Sequence, residues 1–298
     1  MNPFSRHAGL KRLDCDGPEI MVIRHNDRGA GLFAHFGVAV GMMKWAYDHG
    51  LVPYVDMQNA DNCFTRGEPL AFNPWERFFD QVAECGPADL LRAKSVWIPK
   101  KWVIGLGWPR CEPAVVREDN PELLSWRDFV HAHIRVNAAV QAAVRERQAE
   151  LFGDSRVLGC LVRGTDYTRM KPKMHPVQPD PEQVVADART ACRAHGYEKV
   201  FLASEDLVVR RIFREAFGDR LVTNQECLPD YSDGFLMSSG AVGDGARALE
   251  MSREYLVSVL LLARCQGLLA GCASGTVGAL LFSDGYDWSR VYDLGFYA

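Results

Sequence analysis

Short apolar runs alternate with helical patterns through the second half of the chain, and that alternation leaves few folds open. Val157 to Val162 reads as a strand, Pro181 to His195 as a helix, Lys199 to Ala203 as a strand and Asp206 to Phe217 as a helix. Arg220 to Thr223 is a brief strand, and Ser232 to Gly245 reads as loop. Ala246 to Gln266 is a helix, Gly267 to Ala270 a strand and Ser274 to Ser283 a helix. Short strands joined by longer helices predict a mostly parallel sheet covered on both faces.

The first half repeats the theme more faintly. Glu19 to Arg24 is a strand, His25 to Gly31 a polar loop, Leu32 to Asp48 a helix stopped by Gly50, and Leu51 to Met57 a strand. Asn73 caps a helix with Pro74 in its first turn, expected to run to about Cys85. Lys94 to Gly107 reads as a short strand with a loop. From Ser125 a helical pattern continues to about Phe152, where Gly153 stops it. That long helix is the expected bridge between two α/β halves, residues 1–152 and 153–298, with the boundary near Gly153.

Charge and composition narrow the function. At 298 residues, 48% hydrophobic and net charge −4, the chain is an ordinary globular protein without a general nucleic-acid footprint. No apolar run is long enough for a membrane span, and the segment Met1 to Asp16 lacks the apolar stretch of a secretory signal. The nine cysteines are scattered, without a CxxC, and read as reduced thiols of a cytoplasmic protein. Asp14-Cys15-Asp16 follows no strand and reads as surface; no Cys/His group has zinc-ligand spacing.

Two strand ends carry the chemistry. Arg163-Gly164-Thr165-Asp166 leaves the strand ending at Val162. An arginine keeps its charge at neutral pH, and its planar fork suits a pair of phosphate oxygens. Gly271 to Gly278 (GCASGTVG) follows a strand and opens a helix. Unpaired N–H groups and partial positive charge gather there, small residues admit a phosphate, and Ser274 and Thr276 add hydroxyls. Tight helix–sheet packing with Ser274 as a plain cap is the other reading. Ser204-Glu205-Asp206 follows the next strand and either accepts hydrogen bonds from a ribose or base edge or caps a helix. His175, among Lys171 and Lys173, either complements an anion or lies in a solvated loop. Trp97, Trp102 and Trp108 serve either as core or as sugar-stacking faces. In the first half, His25, Asn26, Gly29 and Gly31 lie in a glycine-bearing loop, but the strict dinucleotide fingerprint is incomplete because Ala34 stands where its third glycine belongs, and no P-loop occurs.

Taken in order, Arg163-Gly164-Thr165-Asp166, Ala203-Ser204-Glu205-Asp206 and Ala273-Ser274-Gly275-Thr276-Val277 resemble the GDP-fucose-dependent fucosyltransferases, the α-1,6, nodulation and protein O-fucosyltransferase types, over about Val157 to Phe282. The resemblance implies a GT-B-like fold of two Rossmann-like lobes with a cleft between them. The lobe of residues 1–152 would take a glycan acceptor, with His25, Asn26, Gly29 and Gly31 on that side, and the lobe of residues 153–298 would take the nucleotide sugar. It implies inverting transfer without a metal or other cofactor. Arg163, Gly164, Ser204, Glu205, Asp206, Ser274, Gly275 and Thr276 would then face the donor. Three positions depart from the pattern: Leu161 replaces a guanine-contacting histidine, Gly164 an arginine, and Lys171 a glutamate proposed as general base. Arg163, Asp166 and His175 are therefore the expected catalytic residues, the last two as base candidates. The alternatives are a nucleotide-sugar or glycan sensor on the same scaffold, and a NAD-linked oxidoreductase using the Gly29-Ala30-Gly31 loop. A bacterial cytoplasmic setting, glycan biosynthesis and peripheral membrane association follow only from the resemblance.

Overall fold

The computed structural model describes residues 4–6, 17–67, 69–99, 111–112, 114–224 and 243–298. Trp102, Trp108, Asp14-Cys15-Asp16 and most of the expected Ser232–Gly245 loop lie outside the described residues, as does the Asp166 side chain.

Each half builds its own sheet. The first contains β1 (Phe4–Arg6), β2 (Glu19–Ile23), β3 (Val52–Val55) and β4 (Ser95–Pro99), with α1 (Leu32–Asp48) between β2 and β3 and α2 (Pro87–Arg92) before β4. The strand order is β1-β4-β2-β3. β2 runs parallel to β3 and β4, and β1 closes the edge antiparallel to β4. Two helices follow, α3 (Pro121–His133) and α4 (Ala138–Leu151).

The second half alternates as its pattern requires: β5 (Val157–Leu161), α5 (Thr165–Met170), α6 (Pro181–His195), β6 (Lys199–Ala203), α7 (Leu207–Phe217), β7 (Leu221–Val222), α8 (Gly245–Leu262), β8 (Gly267–Ala270), α9 (Ser274–Phe282) and β9 (Trp288–Val291). The order β7-β6-β5-β8-β9 is parallel throughout. β5 is central and buried at every residue. Val157 and Leu161 face one apolar core, while Leu158, Cys160 and Val162 face the other. That two-residue alternation is the strand's own period. Local signals set the helix bounds. Asp180 accepts hydrogen bonds from the Glu182 and Gln183 N–H groups to start α6, and Gly196 ends it at φ 70°.

Two sequence expectations fail for the same reason. The helix from Pro74 to Cys85 is only a 3₁₀ turn, Pro74–Arg77. The single helix from Ser125 is broken between α3 and α4. Phe79 pairs with Val136 in an antiparallel bridge, Asp80 N–H donates to the Arg135 carbonyl at 2.9 Å, and Asn137 N–H donates to the Phe78 carbonyl at 2.9 Å. Asn137 then caps α4 through Ala139 N–H. Burial of Phe78 and Phe79 pulls both segments out of helix, a tertiary contact that local propensity does not register.

The halves are joined by apolar packing. Phe33 of α1 lies against α9, where a Cβ on Gly278 would fall 2.2 Å from its ring. Phe36 and Phe79 pack on Phe282 with ring centroids 5.4 and 6.3 Å apart. Arg127 of α3 donates to the Leu280 carbonyl of α9 at 2.9 Å. Among the described residues no helix is long and apolar enough to cross a membrane.

Candidate functional site

Three parallel strands end together. Leu161 pairs in register with Ala203 on one side and Ala270 on the other. The ladder continues one step further, with Val162 N–H donating to the Ala203 carbonyl (3.1 Å) and Gly271 N–H to the Leu161 carbonyl (3.0 Å). Arg163-Gly164, Ser204 to Asp206 and Gly271 to Ser274 therefore leave one edge of one sheet. In this strand order the chain turns to one side of β5 first and to the other side later, so β5 and β8 flank the topological switch point. Ligands of open α/β sheets bind outside the carboxyl ends of strands at that point. Arg163 and the start of α9 stand on its two sides.

Glu205 organises the Arg163 loop. Its side chain is only 7% exposed and that of Arg163 15%, with Arg163 Nη1 3.4 Å from Glu205 Oε2. Gly164 N–H donates to Glu205 Oε1 at 3.0 Å. The guanidinium also lies over the Tyr167 ring, 5.1 Å from its centroid. Such a pair contributes little net stability after desolvation, but it fixes where the cation points. Gly164 is enforced by Asp206, since a Cβ at Gly164 would lie 2.3 Å from Asp206 Cβ. No larger residue fits there without moving α7.

Asp206 caps α7, its Oδ1 accepting from Val208 N–H at 2.7 Å and Val209 N–H at 3.1 Å. Ser204 Oγ accepts from Asp206 N–H at 3.2 Å, and Arg210 Nε donates to the Ser204 carbonyl at 2.9 Å. Of the acids at this strand end, Asp206 shapes the helix start and Glu205 holds the Arg163 loop.

α9 starts differently from most other helices of the second half. Asp180, Asp206 and Asp244 cap α6, α7 and α8 through side-chain carboxylates. The residue before α9 is Ala273, which has no side chain to cap with. The Ser274 and Gly275 N–H groups belong to the first turn and have no intrahelical acceptor. Thr276 sits in the first turn of α9 with its side chain turned inward. It is fully buried, and its hydroxyl donates to the Gly271 carbonyl at 2.6 Å, closing the turn from inside. Tyr255 and Gln178 press on the turn. A Cβ at Gly275 would lie 2.0 Å from Tyr255 Oη, and one at Gly271 2.3 Å from Gln178 Oε1. Gln178 Nε2 donates to the Cys272 and Pro176 carbonyls at 2.9 and 3.1 Å, while its buried Oε1 has no protein partner among the described residues.

The loop after β2 reaches the same seam. Helices run back against their strands, so the starts of α1, α8 and α9 all lie at strand carboxyl ends. Phe33 meets Tyr255 edge-on at 5.6 Å, and Gly245 N–H donates to the Arg66 carbonyl at 3.1 Å. Arg66 Nη2 in turn donates to the Arg28 carbonyl at 2.6 Å. Within the loop, Asp61 N–H donates to Asn26 Oδ1 at 2.8 Å, and Gly31 precedes α1 as its N-cap. Asp27 Oδ1 accepts the Gly29 and Ala30 N–H groups at 2.8 and 3.1 Å. This turn is therefore closed by its own carboxylate, just ahead of the start of α1. His25 and His35 are both buried, with their Nδ1 atoms 2.8 Å apart. Burial lowers the pKa of both; that of His35 falls to about 3, pushed further by His25.

His175 stands on a strap rather than a loose loop. Met174 N–H donates to the Tyr297 carbonyl at 3.0 Å and Tyr297 N–H to the His175 carbonyl at 2.9 Å. The His175 and Tyr167 rings meet edge-on at 5.6 Å. This brings His175 to the residue that underlies Arg163. Lys171 is exposed at the end of α5, in the left-handed region at φ 44°. Among the described residues no group of three or more His, Cys, Asp or Glu side chains is placed to hold a metal ion. No sequence signal marks Tyr255, Gln178 or Tyr167; each reaches the site from an element whose docking the chain pattern does not encode.

No protein-family model and no curated protein matches the chain. Its fold is nonetheless that of solved fucosyltransferases. A structure of NodZ α-1,6-fucosyltransferase soaked with GDP-fucose superposes with TM-score 0.54 at 16% identity, over 90% of this chain and 93% of that one. A structure of selenomethionine-labelled NodZ from Bradyrhizobium gives 0.51 at 14% identity, over 90% and 93%. POFUT1 in complex with GDP gives 0.52 at 9% identity, over 93% of this chain and 99% of that one. The architecture of two Rossmann-like lobes is shared over nearly the whole length of each.

Proposed function

We propose that the chain is an inverting, metal-independent glycosyltransferase that moves fucose from GDP-fucose to a glycan acceptor. The observation that supports it best is the convergence of Arg163 and the uncapped start of α9 on the two sides of one switch point. In such a transfer the sugar carbon becomes cationic while negative charge grows on the departing diphosphate. Arg163, steadied by Glu205 and Tyr167, and the Ser274 and Gly275 amides would stabilise that charge. Preorganised donors of this kind are each worth about 3–4 kcal/mol, or 10²–10³ in rate. Asp166 and His175 are the groups proposed to take the acceptor's proton. The acceptor would enter from the His25–Gly31 side, where the two lobes meet.

A second reading is favoured by Lys171. A lysine stands at the position expected for a carboxylate base, so the same scaffold would bind a nucleotide sugar without turning it over. The experiment is turnover of GDP-fucose by wild type and Arg163→Ala, alongside calorimetry with GDP. Transfer or donor hydrolysis by the wild type, cut at least about 10²-fold in the variant, supports the enzyme. Tight GDP binding with no turnover over a panel of acceptors supports the sensor. Stabilisation by NAD with GDP silent would overturn both.

A further inference from the structure

Cys111 and Cys272 are 161 residues apart in sequence, yet their Sγ atoms lie 3.4 Å apart. Cys272 is fully buried in the turn that opens α9, and its carbonyl is held by Gln178. Cys111 is half-buried, on the segment that follows β4. A disulfide requires about 2.05 Å between sulfurs, so the remaining gap is small.

We propose that Cys111 and Cys272 form a reversible disulfide that ties the segment after β4 to this turn and weakens donor binding. The effect on the donor rests on the nucleotide site proposed above; formation of the bridge does not. The oxidant class is a small-molecule disulfide, RSSR. The Cys111 thiolate attacks one of its sulfurs, forming Cys111–S–S–R and releasing RS⁻, which takes up the proton Cys111 lost. Cys272, deprotonated in turn, attacks the Cys111 sulfur and releases the second RSH. Two protein thiols and one RSSR become one protein disulfide and two RSH, and two electrons pass to the oxidant. The half-buried Cys111 is the point of entry. Its hydrogen bond to Cys272, and after that its burial, push its thiol well above the ordinary range, so exchange is slow at neutral pH. Closing the sulfurs displaces backbone two residues from the Ser274 amide. A shift of about 1 Å in groups that position a ligand is worth as much as 10²-fold.

The test uses the full chain incubated with millimolar glutathione disulfide at about pH 8.5, near the ordinary thiol pKa, then blocked with N-ethylmaleimide. Peptide mapping without reductant is expected to find the Cys111 and Cys272 peptides joined. Calorimetry is expected to show GDP affinity lower by about tenfold or more in the oxidised protein, restored by dithiothreitol. Cys111→Ser protein given the same oxidant keeps the affinity of the reduced form. Recovery of both cysteines as maleimide adducts after oxidation overturns the bridge. A bridge with unchanged GDP affinity overturns the coupling. If the reduced protein binds no GDP, the nucleotide reading and the coupling fall together, while the peptide map still decides whether the bridge exists.

Discussion

Acid is expected to destabilise this protein through its buried histidines, His35 foremost. His35 lies 1% exposed beneath the loop on the proposed acceptor side, against His25 and Phe64. Burial, then the neighbouring His25, lowers its pKa from 6.5 to about 3, with Asp27 and the Ala30 backbone pulling weakly the other way. The folded state therefore keeps His35 neutral where the unfolded chain has already protonated it. Between pH 6.5 and about 3 the unfolded state holds the extra proton. Stability must then fall as pH falls, by about 1.4 kcal/mol per unit for one proton. At pH 5 the cost from His35 alone is about 2 kcal/mol relative to neutral pH. His35→Gln removes the titration and keeps an amide that can bond His25. Urea unfolding of both proteins at pH 7 and pH 5 isolates the effect, because carboxylates common to both cancel. Stability of the wild type should drop about 2 kcal/mol more than that of the variant. Parallel losses in the two proteins would refute the argument.

Four further substitutions follow from contacts at the site. Arg163→Lys is expected to restore little of the activity lost in Arg163→Ala, because a point charge does not reproduce the fork; comparable kcat/KM for the lysine variant and wild type would count against a diphosphate role. Gly164→Ala places its methyl against Asp206 and should weaken GDP binding in calorimetry while circular dichroism stays native. Gly275→Ala meets the Tyr255 hydroxyl, so pairing it with Tyr255→Phe should recover part of the lost affinity; strict additivity of the two changes would show that the clash is not the cause. Phe33→Ala removes a buried ring between α1 and α9 and should cost about 3–5 kcal/mol of unfolding free energy, read in denaturant.

What the chain reveals and what it hides divide along physical lines. α6, β6 and β8 begin and end where their sequence signals say, because Asp180, Pro181 and Gly196 act on their own neighbours and a fully buried strand shows as an unbroken apolar run. The break between α3 and α4 is invisible, because its cause is the pairing of Val136 with Phe79, far away in sequence. The short helix α5 is invisible for a related reason: six residues are too few for a period to show. The site divides in the same way. Arg163 and Ser274 are legible because each closely follows a strand, and parallel topology alone then brings them to one edge. The choice of role among neighbouring residues is not legible. Glu205 and Asp206 are adjacent acids of the same type, yet one reaches across to β5's loop and the other turns back to cap α7. Ser274 and Thr276 both carry hydroxyls, yet the helix turn points that of Thr276 inward to Gly271. Sequence patterns thus locate the polar residues at strand ends, and only packing decides where each side chain of a pair points. For that reason the Glu205–Arg163 contact, rather than the motif that contains it, carries the case for a preorganised cation.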